Sequence, residues 1–118
     1  MGETLGILGQ AVVATAQSYV DLVTVPAGNE YVIATLMACN QNTVPAKVRV
    51  AVRRNSTVDI GTYGVPQNRQ CFLVFDLEVP PGESFVVLSR ISLGPGSIVT
   101  VGADQANVSF NAFGVARF

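Results

Sequence analysis

A chain of 118 residues fits one domain. Seven basic and eight acidic residues leave a net charge of −1, so the chain lacks the bulk positive potential on which nucleic-acid binding rests. Hydrophobic residues make up 49% and charged residues only 13%, against roughly 25% charged in an average soluble domain, so much of the surface left after folding is apolar or neutral. Such a surface suits a chain partly covered by other chains, and a homo-oligomer is the expected state; a neutral, Ser/Thr/Asn-rich monomer surface is the plain alternative.

Residues 1–9, MGETLGILG, read as an extended N-terminal arm ahead of a single domain over 10–118. Gly2, Gly6 and Gly9 weaken regular structure there. Leu5, Ile7 and Leu8 are apolar, so the arm packs on its own domain or docks on a neighbour, and these three are the candidate subunit-interface residues. The N-terminus has an acidic residue where a signal peptide has a basic one. No apolar run approaches the ~18 residues of a spanning helix. The expectation is a chain made in the cytoplasm with no membrane partner.

Gln10 to Ser18 is the region most open to a short helix. Tyr19 to Val25 is β-branched and aromatic, and ends on the turn Pro26-Ala27-Gly28-Asn29. Glu30 to Cys39 is largely apolar on both faces, as in a strand covered on both sides. Ala46 to Arg54 alternates: Val48, Val50 and Val52 are predicted to face inward, and Lys47, Arg49 and Arg53 to form a solvated face. Asn55 to Gln70 is the longest irregular stretch, of a length often used for binding, with a short strand piece over Thr57 to Ile60. Cys71 to Val79 alternates again, with Leu73, Phe75 and Leu77 inward and Asp76 and Glu78 outward. Pro80-Pro81-Gly82-Glu83 turns the chain into Phe85 to Leu93, which is interrupted at Ser89-Arg90. Gly94-Pro95-Gly96 reads as a hairpin turn into Ser97 to Val101, and Gly102 to Asn107 leads into Val108 to Val115. About seven or eight short strands spaced by roughly 8 to 12 residues predict an all-β, antiparallel, jelly-roll-like β-sandwich.

The chain has no histidine. That removes the usual general base and the commonest transition-metal ligand. Cys39 and Cys71 fall in predicted strands and are expected as buried free thiols, without the further soft ligands a zinc site needs. Asp76 and Glu78 are roughly 7 Å apart on a strand, a spacing between those of retaining and inverting glycosidases and equally that of an ordinary polar strand face. Gly94-Pro95-Gly96 is followed by a β-branched run rather than the helix a phosphate cradle requires. Asp104 and Asn107 lack a calcium-loop spacing. The sequence therefore predicts no enzyme, no catalytic, cofactor-binding or metal-binding residue, and no cofactor.

Three segments carry a resemblance. They are VTVPAGNEYVIATLMACNQ (Val23 to Gln41), AKVRVAVRR (Ala46 to Arg54) and EVPPGESFVVLSRISLGPGSIVTVGADQANVSFNAFGV (Glu78 to Val115). In this order the chain resembles the small β-sandwich structural proteins of tailed-bacteriophage virions. The resemblance implies a virion protein made in the host bacterial cytoplasm. A single module with an apolar arm and few charges fits a capsid decoration (cement) protein, which bridges and stabilises capsomers on the capsid exterior. Its implied partners are further copies of itself, as a trimer, and the major capsid protein. A neck or tail fibre module is the alternative, and a carbohydrate-binding module a more distant one. No functional residue is carried over from the resemblance.

Overall fold

The computed structural model describes residues 2–118. Eight strands run through it: β1 (Glu3–Val13), β2 (Ser18–Thr24), β3 (Glu30–Asn40), β4 (Ala46–Arg53), β5 (Phe72–Val79), β6 (Ser84–Leu93), β7 (Ile98–Ala103) and β8 (Val108–Arg117). They form two four-stranded sheets, ordered β1-β8-β3-β6 and β2-β7-β4-β5, and every pairing is antiparallel. Six of the seven connections carry the chain from one sheet to the other; only β4 to β5 stays within a sheet. This is the jelly-roll arrangement of an antiparallel β-sandwich.

The turns explain why the chain crosses where it does. At Pro26–Asn29, Pro80–Glu83 and Gly94–Ser97 the first carbonyl accepts the backbone N–H three residues later. Gly28, Gly82 and Gly96 each sit third in such a turn, at φ values of 82°, 71° and 82°, a left-handed conformation that favours glycine. Gly94-Pro95-Gly96, expected as a hairpin turn, is a turn but not a hairpin: it links β6 of one sheet to β7 of the other.

The core lies between the sheets. Val48, Val50, Val99 and Val101 meet Ile33, Leu36, Val108 and Phe110 across it, all fully buried. Val48/Val50, Val99/Val101 and Val108/Phe110 keep period 2, the pattern of one covered strand face, and the bulge after Ile33 puts Leu36 on that face three positions on. Val48 and Val50 face inward as their alternation predicts, and Val52 packs partly buried against the same cluster.

One end of the sandwich is closed by a buried polar group. Asn40 is fully buried at the end of β3. Its Nδ2 donates to the carbonyls of Val44 (2.8 Å) and Val79 (3.0 Å). Its Oδ1 accepts from the Asn42 backbone N–H (3.0 Å) and from Asn42 Nδ2 (2.9 Å), and Asn42 Nδ2 also donates to the Ala106 carbonyl (2.6 Å). Asn40 and Asn42 together thereby tie three crossing connections. A fully satisfied buried amide fixes one arrangement, whereas a partly satisfied one is costly.

Several expectations are corrected. Leu73 and Phe75 do not face the core, being 52% and 40% exposed, whereas Leu77 keeps the inward register of Val48 and Val79 but is left 40% exposed at the sheet edge. The register between β4 and β5 shifts twice, between the Val48–Leu77 and Val50–Val74 pairs and again before Ala51–Phe72. Asp76 takes a left-handed φ of 57° within the first shift. Each bulge slips the alternation, so Val74 rather than Leu73 or Phe75 packs against the core. Arg49 is buried rather than solvated. Gln10 to Ser18 forms no helix, and Thr57 to Ile60 forms no strand. Cys39 and Cys71 are free thiols but half-buried, and Cys71 ends a short 3-10 turn ahead of β5.

The arm is extended, and it is not free-standing. From Glu3 onward it is strand β1, paired with β8 along its length except for a bulge between Ile7 and Gly9. Met1 lies outside the described residues. Gly9 is needed at that bulge because a Cβ there would collide with the backbone carbonyl of Leu22 on β2.

Replacing Asn40 by Leu strands the carbonyls of Val44 and Val79 and the N–H of Asn42. The expected loss is about 2 to 4 kcal/mol of folding stability, read as a lower denaturant midpoint at unchanged slope.

Candidate functional site

The two outer faces of the sandwich differ. The outer face of β2-β7-β4-β5 is covered by the chain's own β4–β5 loop. Arg49, 7% exposed, is the anchor. Its guanidinium lies over the ring of Tyr63 from the loop (3.9 Å to the centroid) and against the ring of Phe75 from β5 (4.1 Å). Nε donates to Asp76 Oδ1 (2.7 Å) and Nη2 to Asp76 Oδ2 (3.4 Å). Nη1 donates to the Tyr19 hydroxyl (3.0 Å) and the Tyr63 carbonyl (2.8 Å). Tyr19 packs on Tyr63 and on Phe72, and Phe72 meets Phe75 edge-on. The planar guanidinium suits this stack and fork.

Burial alone would lower the Arg49 pKa, but the hydrogen bonds it donates to Asp76 and Tyr19 outweigh it and hold the pKa above the ordinary value. Burial pushes the Tyr63 phenol up to about 12, partly opposed by the Arg49 charge and reinforced by the negative charges of Asp76 and Asp104. All three guanidinium nitrogens are engaged, so this cluster fastens a loop and presents no open binding group. Arg53 behaves alike: Nη2 donates to Asp21 Oδ1 (2.9 Å), Nε to Thr100 Oγ1 (3.2 Å) and Nη1 to the Val58 carbonyl (3.1 Å).

The loop is also tied internally. Asn55 Oδ1 accepts the Thr57 N–H (3.0 Å), Asp59 Oδ1 accepts the Gly61 N–H (2.8 Å), and Gln67 N–H donates to the Ile60 carbonyl (2.8 Å). Ile60 is buried beneath it.

The outer face of β1-β8-β3-β6 has no such cover. The registers align it in four rows across the four strands: Leu5–Val115–Val32–Ser92, Ile7–Phe113–Thr35–Ser89, Gln10–Asn111–Met37–Val86 and Val12–Ser109–Cys39–Ser84. None of these sixteen residues carries a charge. Leu5 is 80% exposed and Ile7 58%; Val12 and Val86 are exposed as well. Charges stand only at the margins. Glu3, Arg117 and Glu30 form the next row at one end, and Arg90 lies on the edge strand β6 in a left-handed kink (φ 59°). Four rows of four on a sheet span on the order of 500 Å², and within them Ser, Thr, Gln and Asn alternate with the apolar residues.

Two of the three predicted arm residues reach this face. Leu5 and Ile7 stand on it, whereas Leu8, beside the bulge, is half-buried against the core. The other rows follow from strand order, which period-2 patterns do not supply.

The remaining sequence candidates find structural partners. Asp76 and Glu78 do not form a pair: Asp76 is held by Arg49, and Glu78 lies opposite Lys47. Asp104 Oδ1 accepts the Lys47 backbone N–H (2.8 Å). Among the described residues no three Cys, Asp or Glu side chains gather as a metal site requires, and no helix is long and apolar enough to cross a membrane.

Arg49→Ala leaves Asp76 unpaired and the loop unfastened. The expected outcome is a loss of about 3 kcal/mol or more and faster proteolytic cleavage within residues 54–70, with the far-ultraviolet dichroism of the sandwich kept. A second outcome concerns alkaline pH. Tyr63 ionises near pH 10 when unfolded and only near 12 when folded, so the folded state holds its proton longer and stability falls as pH rises from 10 to 12. Tyr63→Phe should flatten that decline in pH-dependent denaturation curves.

The chain matches no protein-family model, no curated protein and no solved structure, so its function is read from these two faces.

Proposed function

We propose that this protein is a structural component of a tailed-phage virion, a capsid decoration (cement) protein that bridges and stabilises capsomers. It acts on the capsid exterior as a homo-oligomer, a trimer, with the major capsid protein as its partner. The observation that carries this reading is the uncharged outer face of β1-β8-β3-β6, with Leu5 and Ile7 open on it. The sequence resemblance supplies the particle.

The physical basis is burial repeated over many copies. Covering one exposed leucine or isoleucine gains roughly 1.5 to 3 kcal/mol. Because β1 is already ordered against β8, that gain is not spent on ordering a loose arm. A neutral face also docks without removing charges from water, the step that makes polar interfaces costly. A jelly roll with both termini in one sheet and its long loop fastened is a stiff spacer, which a joint between capsomers needs.

A neck or tail module shares this chemistry and differs in where it sits on the particle. The carbohydrate-binding reading is weaker. The aromatic rings gathered on the opposite face, Tyr19, Tyr63, Phe72 and Phe75, are packed around Arg49 and one another rather than laid out as a sugar platform.

Co-sedimentation with purified capsids tests the proposal. The wild-type chain should pellet with capsids and raise their thermal disruption temperature. Leu5→Ser with Ile7→Ser should weaken capsid binding at least tenfold while leaving the melting temperature of the free protein within a few degrees. These substitutions are cleaner than deleting residues 1–9, which removes most of β1 from its sheet. Equal binding by the double variant counts against the face, and binding confined to necks or tails transfers the protein to the second reading.

A further inference from the structure

The β4–β5 loop does more than cover Arg49. Its two stems, residues 54–59 and 68–71, line a cavity of about 490 Å³, within the ~300 to 1,000 Å³ of small-molecule pockets. Val52, partly buried against the core, and Val58 give the cavity an apolar side. Arg54, Asp59, Asn68 and Gln70 give it a polar one. The half-buried Cys71 lines it as well.

The stems are held by bonds that leave most of these polar groups open. Asn68 takes a left-handed φ of 49°. Its Nδ2 donates to the Asp59 carbonyl (2.5 Å), and its own carbonyl accepts the Cys71 N–H (2.9 Å), so it ties one stem to the other. Arg53 Nη1 holds the Val58 carbonyl from β4 (3.1 Å). Asp59 Oδ1 accepts the Gly61 N–H (2.8 Å). Asp59 Oδ2, Asn68 Oδ1, the Gln70 amide and the Arg54 guanidinium are left for a ligand. The charges make the contrast sharp. Arg49 and Arg53, on the outer face of the same sheet, each meet an aspartate. Arg54 and Asp59 line one cavity and enter none of the ion pairs among the described residues.

We propose that this cavity binds a neutral saccharide of one or two rings. Its chemistry disfavours the other common ligands. An anion drawn to Arg54 is repelled by Asp59, and a cation drawn to Asp59 is repelled by Arg54. Two valines are too little apolar lining for a lipophile. A zwitterionic amino acid matches the two charges but leaves the Asn68 and Gln70 amides, and much of the volume, to water. A sugar engages all four groups. Guanidinium, carboxylate and amide are planar and present two polar atoms side by side, which suits adjacent ring hydroxyls. Each hydroxyl both donates and accepts, so Asp59 accepts from the ring and Arg54 donates to it. Val52 and Val58 supply the apolar contact for the C–H face of the ring. The cavity belongs to β4 and its loop and lies apart from the uncharged β1-β8-β3-β6 face, so this site stands or falls independently of the capsid reading.

Nuclear magnetic resonance titration of the full chain with maltose, lactose, cellobiose and diacetylchitobiose tests this, with glycine and inorganic phosphate as the competing ligand classes. At least one of the sugars should shift the backbone resonances of residues 52–59 and 68–71. The same sugar should slow alkylation of Cys71 by iodoacetamide and leave Cys39, on the other sheet, unaffected. Arg54 and Gln70 are exposed, and Arg54→Ala and Gln70→Ala remove no side-chain bond of the fold. Asp59→Asn keeps the oxygen that Gly61 uses. Each should weaken the sugar roughly tenfold or more with the melting temperature unchanged. The proposal is overturned if none of the four sugars shifts these residues, if the shifts fall elsewhere, or if Cys71 alkylation does not slow. It is equally overturned if all three variants bind like wild type, or if only glycine or phosphate binds.

Discussion

The Arg49 clamp sets the character of the molecule. A charged side chain on the outer face of a sheet ordinarily points into water. Here it is roofed by a ring from the β4–β5 loop and a ring from the edge strand, and it is saturated by Asp76, Tyr19 and a backbone carbonyl. The consequence reaches beyond one ion pair. The longest irregular segment is pinned flat over one sheet, and the edge strand β5 must bulge to bring Asp76 and Phe75 onto the Arg49 side. Gly102 belongs to the same device. A Cβ there would meet the Tyr19 ring at 2.5 Å, so the ring that supports Arg49 lies directly on the strand backbone.

That fastening divides the surface. One outer face is finished within the chain: its charges are paired, its rings are packed, and its loop is tied down. The other has no loop to cover it, because β1, β8, β3 and β6 are connected at their ends through crossings to the second sheet. The chain's own topology leaves that uncharged face bare. The bulges that bring Phe75 and Asp76 to Arg49 also leave Leu73 exposed at the sheet edge.

How much of this was legible in the sequence follows the range of the interactions. Val48 and Val50 could be placed because period 2 needs only neighbours along the chain, and the turns at Pro26–Asn29 and Pro80–Glu83 because Pro and Gly act locally. The sandwich followed from these. The β5 face was misread because a bulge is decided by the partner strand: Phe75 turns outward to meet Arg49, a contact 26 positions away in the chain. Arg49 itself looked solvated because nothing local announces Tyr63 and Tyr19. Leu5 and Ile7 were found because they are apolar in a glycine-rich arm, but their neighbours Val115 and Phe113 could not be named before β8 was known to pair with β1.

The uncharged face is also graded. The β1 and β8 side carries Leu5, Ile7, Val12, Phe113 and Val115, while β6 contributes Ser84, Ser89 and Ser92 to the same rows. Hydroxyls hold water on the free chain at little cost and release it more readily than charges do. A face built wholly of leucine would bury more area but would also collapse on any other apolar surface. Mixing serine, threonine and asparagine into a charge-free sheet keeps the free chain hydrated while leaving no ion to strip on docking. Any contact made on such a face is discriminated by shape rather than by charge, since no ion there selects a partner or penalises a wrong one.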